Sequence, residues 1–401
     1  MWRGAMIGAV LAMGLSSLLL EFGKIPAATK LVHLSYDLPF LLRPVINPTN
    51  VVMVYMDDDS YKELNQSYIQ PWNRAYHAQL LDRLTADGAR AVMFDIVFSD
   101  AGPNPAADEQ FAKSIHAFGK VVLAADYVAS GYGRDGVAMK TVVPPYASFS
   151  DAAADLGTAE TSPDDDLVIR KQARMTDDDQ LSTMGWTVAK LCGAPVTQNE
   201  ANRKIERWIN YYGPPATLPN VSYYRAIQPG ELPTGYFSNK VVFVGARLLT
   251  KFAGERKDEY PNPYSVLTPK NPFMPGAEIQ ATQFLNLLRG DWITRLSPAV
   301  ELTMIIFAGF IFGFGLTLFR PLPALFVALF GAVVVAFISY GLFKQERLLF
   351  PWMIIVAVQI PVALLWSIIF NSVQLYVQNK LFEQSLEMYL SPKLVKKFCG
   401  Q

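Results

Sequence analysis

The sequence predicts an exported α/β domain, with a mostly parallel sheet and flanking helices, joined to four transmembrane helices and a short cytoplasmic helix. Two observations support this fold class. The 401 residues are 51% hydrophobic and only 17% charged, with a positive mean hydropathy, which excludes disorder and an ordinary soluble chain. The apolar residues are also unevenly placed. Long uncharged runs lie towards the two ends, whereas the middle alternates short apolar runs with helical spacing.

Four uncharged runs approach or exceed the length of about 20 residues that a helix needs to cross a bilayer. They are Gly4–Leu20, Leu302–Phe319, Pro321–Phe343 and Leu348–Asn379. The first is the shortest, and Arg3 precedes it as in a signal peptide. Because the run is longer than a usual signal core and no clear small-residue cleavage site follows, we expect an uncleaved anchor.

The basic residues that flank these runs predict the orientation of the chain. With four crossings, both termini share one compartment, and only Lys344 and Arg347 lie in the short loop on the opposite side. The shared compartment receives Arg3, Arg320, Lys380, Lys393, Lys396 and Lys397. The positive-inside rule makes it cytoplasmic, so the large segment between the first and second helices is exported. Residues 21–298 carry a net charge of −4 against +4 for the remainder, so the overall neutrality is a cancellation between compartments.

The exported segment begins with a predicted β-α-β-α-β pattern with right-handed crossovers. Asn73 and Gly88 have the residue types that cap a helix at its start and its end. The predicted elements are a strand over Val51–Met56, the helix from Asn73 to Gly88, a strand over Arg90–Phe98, a helix over Asp108–Phe118 and a strand over Lys120–Val128.

The rest of the segment is less regular. We expect strands over Leu167–Met175 and Arg207–Tyr212 around a helix near Leu181–Leu191. A last apolar strand over Val241–Val244 precedes a helix over Gly276–Leu288, which Gly290 closes.

Several strings in this segment form an ordered pattern: Val51–Ser60, Pro71–Arg74, Gly88–Ile96, Gly157 with Asp166–Arg170, Asn239–Gly245 and Met274–Ala281. Together they resemble the extracytoplasmic CHASE-2 sensor domain of bacterial receptors. The resemblance covers roughly residues 40 to 295. Asp58, Asp59 and the stretch Gln66–Gln70 are more polar than the family pattern. The resemblance therefore does not define the entrance of any pocket.

The apolar runs and the resemblance together divide the chain into four parts. They are a membrane anchor over 1–22, a sensor domain over 23–298, three transmembrane helices over 299–371 and a cytoplasmic signalling helix over 372–401. The chain is then expected in a bacterial inner membrane, with both termini cytoplasmic and the sensor domain periplasmic.

The resemblance also implies an output. In such receptors the last helices lead to a class III adenylate or guanylate cyclase, and the stretch Tyr389–Val395 is similar to the segment ahead of that catalytic domain. This chain has no room for the catalytic aspartates, so no catalytic residue and no cofactor is expected in it. ATP with Mg²⁺ or Mn²⁺ belongs to a following cyclase domain. The alternative is an envelope assembly protein that uses the domain as a docking platform for other proteins.

Four residues form the ligand-site hypothesis: Asp57, Trp72, Arg74 and Asp95. Two of them follow predicted parallel strands, and open α/β sheets bind ligands beyond the carboxyl ends of their strands. We expect the four to line the mouth of the sensing pocket. The competing hypothesis is a structural network of ion pairs and helix caps, because the ligand-site hypothesis rests on fold-level analogy.

No metal site is predicted. The aspartate triplets 57–59, 164–166 and 177–179 lack the alternating ligands, the central glycine and the distal glutamate of a calcium loop. Turn and solubility roles are favoured for the second and third. None of the three histidines has a Cys or His neighbour at ligand spacing, and His77 is expected to be a partly buried structural residue.

Two patterns concern the membrane helices and the tail. Gly309 and Gly313 allow close helix approach, either inside the chain or in a homodimer, and we expect a dimer because class III cyclases build their active site between two catalytic domains. Val377, Leu381 and Leu386 lie at helical spacing in the signalling helix, which could pair with a second copy. The expected partners are membrane lipid, a second copy and an unknown extracytoplasmic ligand or protein, with no nucleic acid.

Overall fold

The computed structural model describes residues 2–21, 26–132, 138–173, 175, 179–248, 258–265 and 273–387. The chain forms two compact units. The sheet domain comprises Phe40–Thr294, and the membrane unit comprises Met1–Pro39 together with Arg295–Gln401.

The helices and strands follow one another along the chain in three groups. The first group is α1 (Trp2–Glu21) and α2 (Pro26–Leu42). The second group is β1 (Val51–Asp57), α3 (Asp58–Glu63), α4 (Arg74–Asp87), β2 (Ala91–Val97), α5 (Pro105–Phe118), β3 (Val121–Tyr132), β4 (Ala138–Val143), α6 (Ala147–Ser150), β5 (Asp155–Thr158), α7 (Met184–Leu191), β6 (Asn220–Ser222), α8 (Tyr223–Ile227), β7 (Val241–Arg247), β8 (Glu259–Pro261), β9 (Phe273–Pro275) and α9 (Gly276–Arg289). The third group is β10 (Thr294–Arg295), α10 (Pro298–Thr317), α11 (Pro321–Gly341), β11 (Leu348–Leu349), α12 (Trp352–Ile354) and α13 (Ile360–Glu387), with π-helical turns over Leu342–Glu346 and Ile355–Gln359.

The sheet domain is built on a mixed, mostly parallel sheet of seven strands. Their order is β4-β3-β2-β7-β1-β6, and β5 also pairs with β3. All pairs are parallel except β3 with β4. The last long strand, β7, lies between β1 and β2, so that Val241 pairs with Val51 on one side and Ala91 on the other.

Helices cover both faces of this sheet, which explains why its central strands are continuous apolar runs. Val52 and Val54 of β1 belong to the core under α4 and α5, whereas Val51 and Met53 belong to the core under α7 and α9. Because successive side chains of a strand alternate between faces, each strand contributes to both cores.

The structure confirms the predicted capped helix and the predicted apolar strands. The Asn73 side chain accepts a hydrogen bond from the Ala75 N–H at 3.1 Å, and Gly88 ends α4 in the left-handed conformation at φ 74°. Strands β1, β2, β3 and β7 and helices α5, α7 and α9 form where they were predicted, with bounds that differ by a few residues.

The two strands predicted in the middle of the segment are wrong. The described residues of 167–175 and 207–212 form only isolated bridges, of which one joins Lys171 to Trp208. Arg170 is buried there and binds the carboxylates of Asp164 and Asp166 at 2.9 and 2.8 Å. The ion pairs of Arg170 therefore stabilise residues 164–170 in place of the backbone hydrogen bonds of a strand. The short strands β4, β5 and β6 were not predicted.

Among its described residues, the membrane unit contains three helices that are long and apolar enough to cross a bilayer. They are Pro298–Thr317, Pro321–Glu346 and Trp352–Ser385, and the apolar helix Trp2–Leu18 is shorter. Side-chain hydrogen bonds connect them inside the unit: the Trp366 indole donates to the Gly4 carbonyl at 2.8 Å, and Ser367 donates to the Leu316 carbonyl at 2.7 Å.

Candidate functional site

A pocket lies at the carboxyl ends of β1 and β2, where the loops after these strands meet the start of α4. Its cavity volume is about 220 Å³. The side chains that line it come from three segments of the chain and are Met56, Tyr61, Gln70, Pro71, Trp72, Arg74, His77, Ile96, Val97, Ser99 and Asp100. Trp72 and Arg74, two of the four predicted site residues, are among them.

Arg74 is the first residue of α4, and its side chain is buried although it is charged. The residue is 6% exposed, and its guanidinium lies over the Phe98 ring at 4.6 Å from the centroid. Burial lowers the pKa of Arg74, and the charge of Asp108 opposes that shift. Its Nε atom has no hydrogen-bond partner among the described residues.

Trp72 packs its ring edge-to-face against two tyrosines, Tyr61 at 4.9 Å and Tyr223 at 5.1 Å between centroids. It is 3% exposed. Its indole N–H approaches the Tyr61 hydroxyl without reaching hydrogen-bond geometry, and it has no other partner within the described chain.

His77 lies one helical turn after Arg74 and is fully buried among the rings of Phe94, Phe98 and Phe111. Its Nδ1 is 2.7 Å from the Tyr223 hydroxyl, whereas its Nε2 has no partner in the part of the chain described. Burial, reinforced by the charge of Arg74, lowers the pKa of His77 to about 3, so the imidazole is neutral at physiological pH.

The Asp57 carboxylate accepts three hydrogen bonds at the end of β1. Its Oδ1 caps α3 by accepting the Ser60 N–H at 3.0 Å and also the Ser60 hydroxyl, and its Oδ2 accepts the Ser222 hydroxyl. These bonds join β1, α3 and β6. The residue does not line the pocket.

Asp95 lies on the other face of the sheet. Phe94 points towards His77, so the next side chain of β2 points away from it. A β-carbon added to Gly276, at the start of α9, would lie 3.5 Å from the Asp95 carboxylate. Burial, and the nearby charge of Asp258, raises the pKa of Asp95 to about 7.

The four predicted residues therefore do not share one pocket. The structure brings together Trp72 and Arg74, and it adds His77 and Tyr61, which the ligand-site hypothesis omitted. A signal for His77 was present in the sequence, because residues three apart in a helix share a face and Arg74 was already a candidate.

Members of the first two acidic triplets make structural contacts. Asp164 and Asp166 hold Arg170, and Asp57 caps α3. Asp177 and Asp178 lie outside the described residues.

Gly309 and Gly313 face other helices of the same chain. A β-carbon on Gly313 would lie 2.5 Å from the Gly8 carbonyl oxygen, and one on Gly309 would lie 2.9 Å from both Met13 and the Gln359 amide nitrogen. The two glycines thus allow α10 to pack closely on α1 inside the membrane unit.

The signalling-helix residues lie in α13. Val377 and Leu381 are 47% and 57% exposed in the single chain. The side chain of Leu386, and all of residues 388–401, lie outside what the structure describes.

The family model for the CHASE2 domain matches residues 7–315. No curated protein and no solved structure matches the chain.

Proposed function

The chain belongs to the CHASE2 domain family, and from this membership we propose that it is the sensing and membrane part of a receptor. The sheet domain faces the extracytoplasmic side of a bacterial inner membrane and responds to a ligand there. The membrane helices carry the response to a cytoplasmic class III adenylate or guanylate cyclase that follows this chain.

The distribution of charge supports the orientation. Residues 21–298 have a net charge of −4, and most basic flanks of the apolar helices fall in one compartment. A test places single cysteines at Lys113 and Lys380, which are exposed, in a chain whose two native cysteines are serine. A membrane-impermeant maleimide should label the first in cells with a permeabilised outer membrane. It should label the second only after the inner membrane is opened.

The length of the last helix is the observation that carries the relay. Trp352–Ser385 is long and apolar enough to span, and its second part, α13, runs for 28 residues without a break. At about 1.5 Å per residue, α13 alone measures about 42 Å, against about 30 Å of hydrocarbon. The helix therefore continues past the bilayer, so a rotation or shift of its membrane part reaches the tail directly.

The experiment joins a class III cyclase catalytic domain after Glu387 and inserts alanines at the junction. Two alanines rotate the output by about 200°, whereas seven rotate it by about −20° and nearly restore the phase. Cyclic AMP formed in membranes should change with two alanines and return towards the original level with seven. Equal output from all three chains would contradict a helical relay and favour the docking-platform alternative.

A further inference from the structure

A second pocket of the sheet domain lies beside β5, at the last turn of α7. Its cavity volume is about 380 Å³, within the range of about 300–1,000 Å³ that is usual for small-molecule sites. Its walls come from β5, the stretch Gln180–Ser182, α7 and the 3₁₀ turn Glu200–Lys204. Charged, neutral polar and apolar side chains all line it, so it has the size and the chemistry to hold a polar small molecule.

Four charged side chains line this pocket, two of each sign. Lys190 and Arg203 are the cations, and Asp155 and Glu200 are the anions. The Lys190 ammonium donates to Glu200 Oε1 at 2.8 Å, so these two charges compensate each other. Within the described chain, neither Asp155 nor Arg203 belongs to an ion pair. The pocket therefore presents one uncompensated charge of each sign.

The two uncompensated charges are separated, and both are accessible to a bound molecule. Because no ion pair joins them, the Arg203 nitrogens lie more than 4.0 Å from the Asp155 oxygens, although both side chains line one cavity. Asp155 is exposed and Arg203 is partly exposed. One Asp155 oxygen accepts the Leu156 N–H at 2.8 Å, and the other accepts no hydrogen bond from the described residues. A ligand placed between the two side chains can therefore contact both charges.

The distribution of charge favours a ligand that carries both signs. The hydrogen bond from Lys190 lowers the pKa of Glu200, and the charge of Arg203 lowers it further, so Arg203 lies near this ion pair. That part of the pocket has two cations against one carboxylate, whereas Asp155 adds a negative charge on another segment of the chain. A simple anion or a simple cation would leave one of the two uncompensated charges without a partner. A zwitterion satisfies both.

The remaining walls of the pocket favour a zwitterion that also has an apolar group. Leu156, Leu181 and Trp186 line the same cavity as the four charges. Small-molecule sites combine apolar walls of this kind with a few polar groups that fix the orientation of the ligand. A free α-amino acid with an apolar side chain has all three features, because its ammonium and carboxylate groups are attached to one carbon atom and its side chain is attached to the same atom.

We propose that this pocket binds a free apolar α-amino acid, with its carboxylate on Arg203, its ammonium group on Asp155 and its side chain towards Leu181 and Trp186. A guanidinium group binds a carboxylate through two parallel N–H donors, and an ammonium group supplies three donors to a carboxylate. This inference rests on the proposed function, because it identifies the ligand class of the sensor.

The test measures ligand affinity by calorimetry on the full chain in detergent micelles, with L-leucine and two of its analogues as probes. N-acetyl-leucine lacks the positive charge, and leucinamide lacks the negative charge. Loss of one hydrogen bond to a charged group weakens binding about tenfold or more. Leucine should therefore bind, and each analogue should bind about tenfold more weakly.

Two substitutions assign the two ends of the ligand. Arg203→Gln should raise the Kd of leucine and of N-acetyl-leucine about tenfold and leave that of leucinamide unchanged, because leucinamide has no carboxylate. Asp155→Asn should raise the Kd of leucine and of leucinamide about tenfold and leave that of N-acetyl-leucine unchanged. Neither side chain is buried, so both variants should fold.

Asp126→Asn is the matched control for Asp155→Asn. Both aspartates are exposed, and each accepts the N–H of the next residue at 2.8 Å, but Asp126 does not line the pocket. Arg225→Gln is the control for Arg203→Gln, because Arg225 is an exposed arginine that pairs with Glu231 outside the pocket. Both controls should leave the leucine Kd unchanged. The proposal is overturned if leucine does not bind, if either analogue binds as tightly as leucine, or if a pocket variant and its control behave alike.

The binding test and the relay test fail separately. Leucine binding with the expected pattern of variants, together with equal cyclic AMP output from the three cyclase fusions, would support the pocket and contradict the relay. An output that depends on the number of inserted alanines, in a chain that binds no leucine, would contradict the pocket and support the relay.

Discussion

The close contact between α1 and α10 makes Gly313→Ala a sensitive test of the membrane unit. The added β-carbon would lie 2.5 Å from the Gly8 carbonyl oxygen and 2.6 Å from the Ala9 Cα, whereas ordinary contacts begin at 3.4 Å. Both obstacles are backbone atoms, so no side-chain rotation can remove the clash. The two helices must therefore separate by about 1 Å, and a gap of that size loses about a quarter to a half of each dispersion contact.

We expect Gly313→Ala to destabilise the membrane unit by about 1–3 kcal/mol, the usual cost of overpacking. Gly315→Ala is the control in the same helix, because nothing lies within 4 Å of its added β-carbon. That variant should be neutral or gain up to about 1 kcal/mol from helix propensity. Helix association in lipid depends on such packing, so the difference should be visible.

The assay is unfolding of the full chain in mixed micelles of rising SDS fraction, followed by tryptophan fluorescence. Equal midpoints for the two variants would refute the close packing of α1 on Gly313 of α10. Because α1 occupies the glycines inside one chain, self-association of folded Gly313→Ala should match that of the wild type. Any contact between copies is then made elsewhere.

Three further changes test the sheet domain by chemical unfolding. Asp57→Ala removes the cap of α3 and the bond to Ser222, so it should lower the free energy of unfolding by about 1–3 kcal/mol; an unchanged free energy of unfolding would contradict this capping role. Burial raises the pKa of Asp95 from 3.8 to about 7, so its contribution to stability is present at pH 3.8 and lost as the pH rises through 7; Asp95→Asn should make stability fall less over that range. Burial lowers the pKa of His77 from 6.5 to about 3, so its contribution to stability is present above pH 6.5 and lost as the pH falls through 3; His77→Gln should reduce that loss. The Asp95 and His77 substitutions should therefore change the slope of stability against pH in opposite directions. A change in the same direction for both variants would show that one of the two pKa assignments is wrong.

The parts of the fold that the sequence could predict are those with a local cause. Continuous apolar runs predict β1, β2 and β7 because these strands are buried on both faces, and Asn73 with Gly88 defines α4 through its caps. The strand predicted over 167–175 fails because Arg170 pairs with two aspartates that precede it. Its apolar neighbours gave a strand-like pattern, but the buried guanidinium needs charged partners.

The candidate site could be predicted only in part. Its position depends on a strand that is distant in the sequence, and on which face of the sheet each residue of β2 occupies. The strand-end rule selects the edge of the sheet at which Trp72 and Arg74 line a pocket. Strand β7 lies between β1 and β2 although it follows β1 by almost two hundred residues, and a local pattern cannot show this. Phe94 and Asp95 are adjacent in β2, so their side chains lie on opposite faces of the sheet. A shift of the strand by one residue would exchange the two faces.

The same edge of the sheet has a different chemistry on each face. On the α4 side, the pocket is lined by the buried, positively charged Arg74. On the α9 side, the fully buried Glu278 accepts the Tyr55 hydroxyl at 3.1 Å and the Ala216 N–H at 2.9 Å, and burial raises its pKa. Asp95 lies on that acidic side, where a second anion would be repelled. The one strand position that separates Asp95 from the pocket therefore also keeps its carboxylate on the face opposite the buried Arg74 guanidinium.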